Sequence, residues 1–340
     1  MIIKYNNLTK IINNIFLKYG VSDRDSNLLT KNLVETEMMG FTSHGIQRVE
    51  QYINDIKIGK IQLGKKIKIT KKTPTTSILH GGWNFGQVTA IHGVNIVSKM
   101  AENYGTGCII IRGATHVGRV GAFTEMLAKS GFIGIAMTSA GKPGHWVAPF
   151  GGREGRLCTS PIAFAAPTND EPISMDFSTS SMPEGNIRYL KNVGQMLPDK
   201  YIIDENGNPS SDPSDLYNRQ GLPAGAILPF GGIQGYKSFG LGIMAHILSA
   251  LLGNAIWEKD GIVGETNGLW LLAIKIESFM GEKIFSDEMD KLITYIRSSK
   301  LNKDSSGIIM PGEKEFANFR NCKLKGINIE KKIWNQILSL

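Results

Sequence analysis

From residue 75 onward the chain alternates short β-rich runs with helical ones, and then breaks that alternation. "TTSIL" at 75–79 and "GCIIIR" at 107–112 flank a helical pattern at 86–103, and "GFIGIAMT" at 131–138 follows another at 119–130. "PIAFAAP" and "ISMDF" (173–177) then succeed each other with no long helix between them. Helices that do not separate every strand imply a mixed sheet, so the fold class is α/β with α+β character. The residues before 75 read as helix. Leu8, Ile11, Ile12, Ile15, Phe16 and Tyr19 recur at three- and four-residue steps before Gly20, Ser22 stands as an N-cap for a helix ending at Gly40, and a helix carrying Arg48 follows. Beyond the sheet, 204–215 is a polar excursion with Asn-Gly and Asp-Pro turn signals. A long helix at 236–256, a strand at 269–276 and a largely helical tail complete the chain. We divide it into a mainly helical domain of residues 1–75 plus 285–340 and an α/β domain of residues 76–284.

Bulk properties exclude several function classes. The 340 residues are 41% hydrophobic and 20% charged, as in globular proteins. No N-terminal basic, apolar and small-residue series marks a secretory signal, and the apolar run at 239–257 is interrupted by His246 and Asn254, which speaks for a buried helix over a membrane span. Cys108, Cys158 and Cys322 form neither a disulfide framework nor a thiolate zinc site, which fits a reducing cytoplasm. A net charge of +8 attracts anions. The densest basic run, "KKIKITKK" at 65–72, lacks interleaved aromatic residues for base stacking and reads as a solvated strand face, so nucleic acid is not an expected partner.

The stretch "FTSHGIQRVEQY" at 41–52 places His44 and Arg48 four residues apart, a spacing that on one helix would aim both side chains the same way. A solvated arginine beside a helix-start histidine is the plain alternative. Gly240, Gly242 and Ala245 formally match a dinucleotide fingerprint with Glu258 and Asp260 downstream, but that fingerprint needs a strand running into the turn, and here the glycines fall inside a helix already begun at Tyr236. "RGATHVGRVG" at 112–121 joins a strand end to a helix start with glycines that let backbone N–H groups approach an anion, and "PFGGIQGYKSFG" at 229–240 opens another helix beside Lys237. The two loops make a phosphate-bearing ligand plausible. His80, His92 and His246 sit in apolar patterns as structural residues, whereas His145 belongs to a polar loop that could line a cleft. No histidine spacing supports a metal centre, and no G-x-S-x-G elbow supports a hydrolase.

Five stretches carry a family resemblance. "SHGIQRVEQYI", "THVGRVGAFTEMLAKSGFIGIAMT", "VAPFGGREGRLCTSPIAFAAP", "MDFSTS" and "GGIQGYKSFGLGIMAHILSALLGN" resemble, in order and spacing, the malate/L-lactate dehydrogenase family, which is distinct from the Rossmann lactate dehydrogenases. The resemblance implies a non-Rossmann NAD(P)-binding sheet domain with a mainly helical second domain, a homodimer, and NAD or NADP as cofactor. Its substrate would be a small 2-hydroxy or 2-oxo acid.

By the same resemblance His44 exchanges the proton at the substrate oxygen, with Ser43 assisting and His116 the other catalytic candidate. Arg48 holds the carboxylate, and Thr159, Glu184 and Gly185 stand on the substrate side. Cofactor contacts map onto His116, Val117, Gly118, Arg119 and Val120, onto Asp176, Phe177 and Ser178, onto Lys237 and Ser238, and onto Pro311, Gly312 and Glu313. Imidazole suits proton exchange near neutrality, and a guanidinium fork suits a carboxylate. Two departures stand out: Glu184-Gly185-Asn186 where many members have Arg-Gly followed by Lys, Glu or Asp, and "TSAG" at 138–141 where Thr-Asn is commoner. Some imino acid reductases carry an aspartate at the position of Asn186, so a cyclic imino acid reductase is the alternative within the class. A fold retained for ligand binding without catalysis is the alternative outside it.

Overall fold

In the computed structural model, residues 1–141, 144–255 and 267–340 are described. Strand β1 (Ile2–Ile3) leads into helices α1 (Tyr5–Lys18) and α2 (Asp23–Met38), then α3 (Arg48–Lys57). Strands β2 (Lys68–Lys72) and β3 (Thr76–Asn84), helix α4 (Gly86–Tyr104), strand β4 (Thr106–Ala114), helix α5 (Gly121–Ala128) and strands β5 (Phe132–Ala140), β6 (Ile162–Ala166) and β7 (Ile173–Phe177) follow. Helix α6 (Glu184–Val193) precedes three two-residue strands, β8 (Ile202–Ile203), β9 (Pro209–Ser210) and β10 (Ala226–Ile227). Helix α7 (Gly235–His246) runs into a π-helical turn over Ile247–Leu251. Strand β11 (Asn267–Lys275), helices α8 (Glu282–Arg297) and α9 (Glu313–Lys325), strand β12 (Ile327–Asn328) and helix α10 (Lys331–Leu338) end the chain.

Among the described residues the main sheet has seven strands in the order β2-β3-β4-β11-β5-β6-β7. Only β3 and β4 are parallel neighbours, joined by α4 as a crossover, and every other pair is antiparallel. The sheet is therefore mixed, as its strand spacing implied. The late strand β11 inserts between β4 and β5, pairing Leu271 with Ile109 on one side and with Ala136 on the other. Strand β2 is exposed along its whole length, an edge whose lysines blunt further pairing. Glycines 240 and 242 lie within α7, where Gly242 packs against Thr179. Glu258 and Asp260 lie outside the described residues.

Two apolar cores meet near the future site. Leu8, Phe16, Leu29, Val49, Tyr52 and Ile53 of the N-terminal helices pack with Phe85 at the start of α4 and with Ile327 and Ile337 from the chain's end. The Tyr52 and Phe16 rings each stand edge-on to Phe85 with centroids 6.0 Å apart. Phe85→Ala would open a cavity at this junction and cost roughly 3–5 kcal/mol. The second core lies between the sheet and α4 and α5, with Val97, Ile111, Phe123, Leu127 and Leu271 buried. The β1–β12 pair ties the N-terminus to the C-terminal helices, and Ser22 caps α2 by accepting from the Asp25 N–H.

Candidate active site

The turn between α2 and α3 carries the first group of side chains. Gly40, at φ +93°, ends α2 in the left-handed region, and Thr42–His44 form a single 3₁₀ turn. Gly45 then takes ψ −142°, which breaks helical continuity before Arg48 opens α3. His44 and Arg48 thus do not share one helix, contrary to the spacing argument, yet both line the same cavity. The break is held from α2. The Glu37 carboxylate accepts the Ile46 N–H at 3.1 Å, and a Cβ at position 45 would overlap that carboxylate. Burial pushes the Glu37 carboxyl up to about 7, against a smaller lowering by the Ile46 N–H.

Arg48 is anchored so that one edge of its fork stays available. Its Nε donates to the Ser43 carbonyl at 2.6 Å and Nη1 donates to Gln51 Oε1 at 2.6 Å. Nη2 faces Gly185, where a Cβ would stand 3.2 Å away, so the missing side chain keeps space in front of the guanidinium. Ser43 Oγ lies 2.9 Å from His44 Nδ1. The His44 and His116 rings stack with centroids 5.5 Å apart and an interplanar angle of 23°.

His116 is held at one ring nitrogen by a two-residue chain. Gln87 Nε2 donates to the Tyr52 hydroxyl at 2.5 Å, and that hydroxyl lies 2.8 Å from His116 Nδ1. A Tyr52 hydroxyl that donates to Nδ1 leaves the ring proton of neutral His116 on Nε2. Burial, helped by the nearby charges of Arg48 and Arg119, drives the His44 imidazole down to about 3. Burial first, then Arg48, holds His116 well below its usual range. At neutral pH the cavity therefore holds two uncharged imidazoles beside one guanidinium, an arrangement suited to an anion. His44, Arg48 and His116 share this cavity of about 100 Å³ with Val117, Thr159, Glu184, Gly185 and Asn267.

A second cavity, of about 250 Å³, adjoins the first at His44, Gly118 and Thr159. Its wall includes Ser43, Arg119, Val120, Asp176, Phe177, Ser178 and Asn186. The loop joining β4 to α5 differs from an open anion cradle. Its Val117 N–H donates to Asn267 Oδ1 at 2.9 Å, its Gly121 N–H donates to Asp176 Oδ2 at 2.7 Å, and Arg119 is paired bidentately with buried Glu125. The N-terminus of α5 thus already has its carboxylate. Asp176 and Ser178 both line this second cavity, and the Ser178 hydroxyl donates to the Ser180 carbonyl at 3.0 Å and accepts from Ser180 Oγ at 3.1 Å. Lys237 and Ser238 line neither cavity; Ser238 Oγ donates to the Phe230 and Gly235 carbonyls. Pro311, Gly312 and Glu313 also stand outside both walls, on the edge of β7, where the Ser174 N–H donates to the Pro311 carbonyl at 3.1 Å. His145 lines neither cavity and packs edge-on to His246 at 6.1 Å. Among the described residues no cluster of histidine, cysteine and carboxylate groups could hold a metal ion, and no helix is long and apolar enough to cross a membrane.

Sequence reasoning missed Tyr52, Gln87, Glu37 and Asn267. Tyr52 was within reach, because it stands four residues after Arg48 on the same helix. Gln87 and Asn267 reach the site only through tertiary contacts with α3 and the 115–118 loop, and carry no local signal.

Comparison with known proteins agrees with this architecture. The family model described as malate/L-lactate dehydrogenase matches residues 3–338. The malate dehydrogenase of Pyrococcus horikoshii is 32% identical, with 97% of this chain and 92% of that protein covered. The L-sulfolactate dehydrogenase of Methanocaldococcus jannaschii is 34% identical, with 99% and 95% covered. The crystal structure of malate dehydrogenase from Entamoeba histolytica superposes with a TM-score of 0.93 at 25% identity, covering 100% of this chain and 96% of that one. The chain belongs to the malate/L-lactate dehydrogenase family.

Proposed function

We propose that this chain is an NAD(P)-dependent oxidoreductase that interconverts a small 2-hydroxy acid and its 2-oxo acid. The observation that carries the reading is the convergence of the Arg48 guanidinium and the His44 and His116 imidazoles on one cavity of about 100 Å³, with a second cavity opening beside it. The small first cavity suits an acid of few carbons, well under the roughly 300–1,000 Å³ of sites for drug-sized ligands. Bound in the second cavity, with Asp176 and Ser178 toward its ribose, a nicotinamide cofactor would supply or accept the hydride at C2.

The chain's own residues supply the rest. Arg48 holds the substrate carboxylate through Nη2 and the free hydrogen of Nη1, an end-on two-point grip. His116 presents Nε2–H to the C2 oxygen, fixed there by Tyr52 and Gln87. His44 takes the hydroxyl proton in the oxidative direction and returns it in the reductive one, with Ser43 orienting its ring. Because burial keeps both imidazoles uncharged, the oxidative direction needs no prior deprotonation, and reduction takes up a proton with the anionic substrate. Thr159 and Glu184 line the same cavity.

Asn186 lines the second cavity and cannot ionise, so a carboxylate relay for imine reduction has no counterpart at that position. This favours the hydroxy acid reading over a cyclic imino acid reductase. The exposed Ile233, Leu251 and Leu252 flanking α7 and the exposed Tyr295 on α8, which buries no residue, support a homodimer. The three free cysteines suit the cytoplasm. The test is consumption of NADH and of NADPH with a panel of 2-oxo acids and cyclic imines. Turnover of the oxo acids is expected, and turnover of the imines alone would select the other reading.

A further inference from the structure

On the wall of the first cavity stands a polar cluster that the proposed chemistry does not use. Ser139 Oγ lies 3.1 Å from Ser160 Oγ and 2.8 Å from His246 Nδ1, and both serines line the cavity. They are 2% and 0% exposed. Ser160 is held at φ +37°, a left-handed conformation that a serine adopts at a cost and that gathers at ligand-binding positions. His246 is the last residue of α7, where the helix changes to a π turn, a distortion frequent at functional sites. A second observation points to a ligand. Trp146 lines the same cavity, is 7% exposed, and its indole N–H has no hydrogen-bond partner among the described residues.

The charges near this wall restrict what can meet it. Among the described residues lining the cavity, Arg48 is the one permanent cation, and it is committed to the substrate's C1 carboxylate. Glu184 adds a carboxylate on the same cavity, already paired with Arg188 at 2.6 Å and accepting from the Tyr217 hydroxyl. A second anionic group on the substrate would meet uncharged donors at this wall and, among the described residues lining the cavity, no further cation, and a bare methyl group would leave the Trp146 N–H without a partner. A hydroxyl both accepts and donates, so it can take the Trp146 hydrogen and give its own to a serine oxygen or to Glu184.

We infer that this wall reads a hydroxyl on the carbon beyond C2, so that the substrate is a monocarboxylic 2-hydroxy or 2-oxo acid hydroxylated at C3, with Ser139, Ser160 and Trp146 as specificity-determining residues. His246 is a positioning residue that acts through Ser139. The inference rests on the reading of this cavity as the substrate site, and it departs from the dianionic substrates named for the malate and sulfolactate relatives.

The test compares kcat/KM for 3-hydroxypyruvate, pyruvate and oxaloacetate with the purified full-length enzyme. 3-Hydroxypyruvate is expected to exceed both others by roughly ten-fold or more, since a site built around a substrate hydroxyl rejects analogues that lack it. The hydroxypyruvate-to-pyruvate ratio should fall in Ser139→Ala and in Trp146→Phe. It should also fall in His246→Ala but be restored in His246→Asn, whose amide can still meet Ser139. Pyruvate or oxaloacetate used as well as hydroxypyruvate by the unmodified enzyme would overturn the inference and leave the dehydrogenase reading standing. Reduction of none of the three would overturn both.

Discussion

The Tyr52 hydroxyl lies 2.8 Å from His116 Nδ1 and accepts from Gln87 Nε2 at 2.5 Å. An α3 side chain and an α4 side chain thereby hold a histidine of the β4–α5 loop by one ring nitrogen. Tyr52→Phe keeps the ring packed against Phe85 but removes the donor, so His116 can reorient its tautomer and Gln87 loses its acceptor. A fall in kcat of about 10²-fold is expected, the lower end of the range for a disabled acid–base group, with nucleotide affinity retained in calorimetry. Unchanged kcat would mean that the tautomer of His116 is irrelevant to turnover.

The catalytic turn depends on the absence of a side chain at position 45. Gly45→Ala drives a methyl group into the Glu37 carboxylate and against the α2 backbone, and the turn carrying Ser43 and His44 must shift. Displacements of about 1 Å at a reacting group cost on the order of 10²-fold in rate. We expect kcat/KM to drop by that order in steady-state assays while far-ultraviolet circular dichroism is unchanged. Retained activity would show that Glu37 yields without moving His44.

Two buried groups give opposite pH dependences to stability. Glu37 is raised from 4.5 to about 7, so the folded protein binds more protons than the unfolded one between those values, and stability declines as pH rises from about 4.5 to about 7. His44 is lowered from 6.5 to about 3, so its contribution is complete above 6.5 and is lost as pH falls toward 3. Urea unfolding from pH 4 to 8 should show the first slope flattened in Glu37→Gln, which keeps an oxygen for the Ile46 N–H, and the acid-side loss reduced in His44→Asn. Identical profiles for all three proteins would contradict the assignment of these slopes.

Arg48→Lys preserves charge but not the fork. With the Nε bond to Ser43 and the Nη1 bond to Gln51 both lost, kcat/KM for the oxo acid should fall roughly ten-fold or more while the nucleotide dissociation constant stays put. An unaltered kcat/KM would place the carboxylate on another group.

Much of this architecture was legible locally. The three- and four-residue steps from Leu8 to Tyr19 gave α1, Ser22 marked the start of α2, and the absence of a helix between β6 and β7 announced a mixed sheet. The long-range arrangement was not legible. Nothing in "GLWLLAIK" says that it enters the sheet between β4 and β5, because both edges it fills are satisfied only by the finished ladder. The His44 and Arg48 spacing suggested one helix, and ψ at Gly45 decided otherwise. Their joint placement in one cavity comes from Glu37 holding the turn, a tertiary contact nine residues back from Ile46. Lys237 shows the reverse case: a glycine-rich helix opening is an adequate phosphate cradle by composition, yet its loop folds against Phe230 and outside both cavities.

The central claim is that His44 moves the proton at the C2 oxygen of an acid held by Arg48, with His116 as its hydrogen-bonding partner in the same cavity. The most direct measurement pairs kcat with nucleotide affinity in His44→Asn and His116→Asn. We expect His44→Asn to lower kcat by about 10²-fold to 10⁴-fold and leave nucleotide binding nearly intact, and His116→Asn to weaken nucleotide binding as well, since His116 stands beside Gly118, where the two cavities meet. Near-normal kcat in His44→Asn, together with its loss in His116→Asn at unchanged nucleotide affinity, would contradict the account and make His116 the acid.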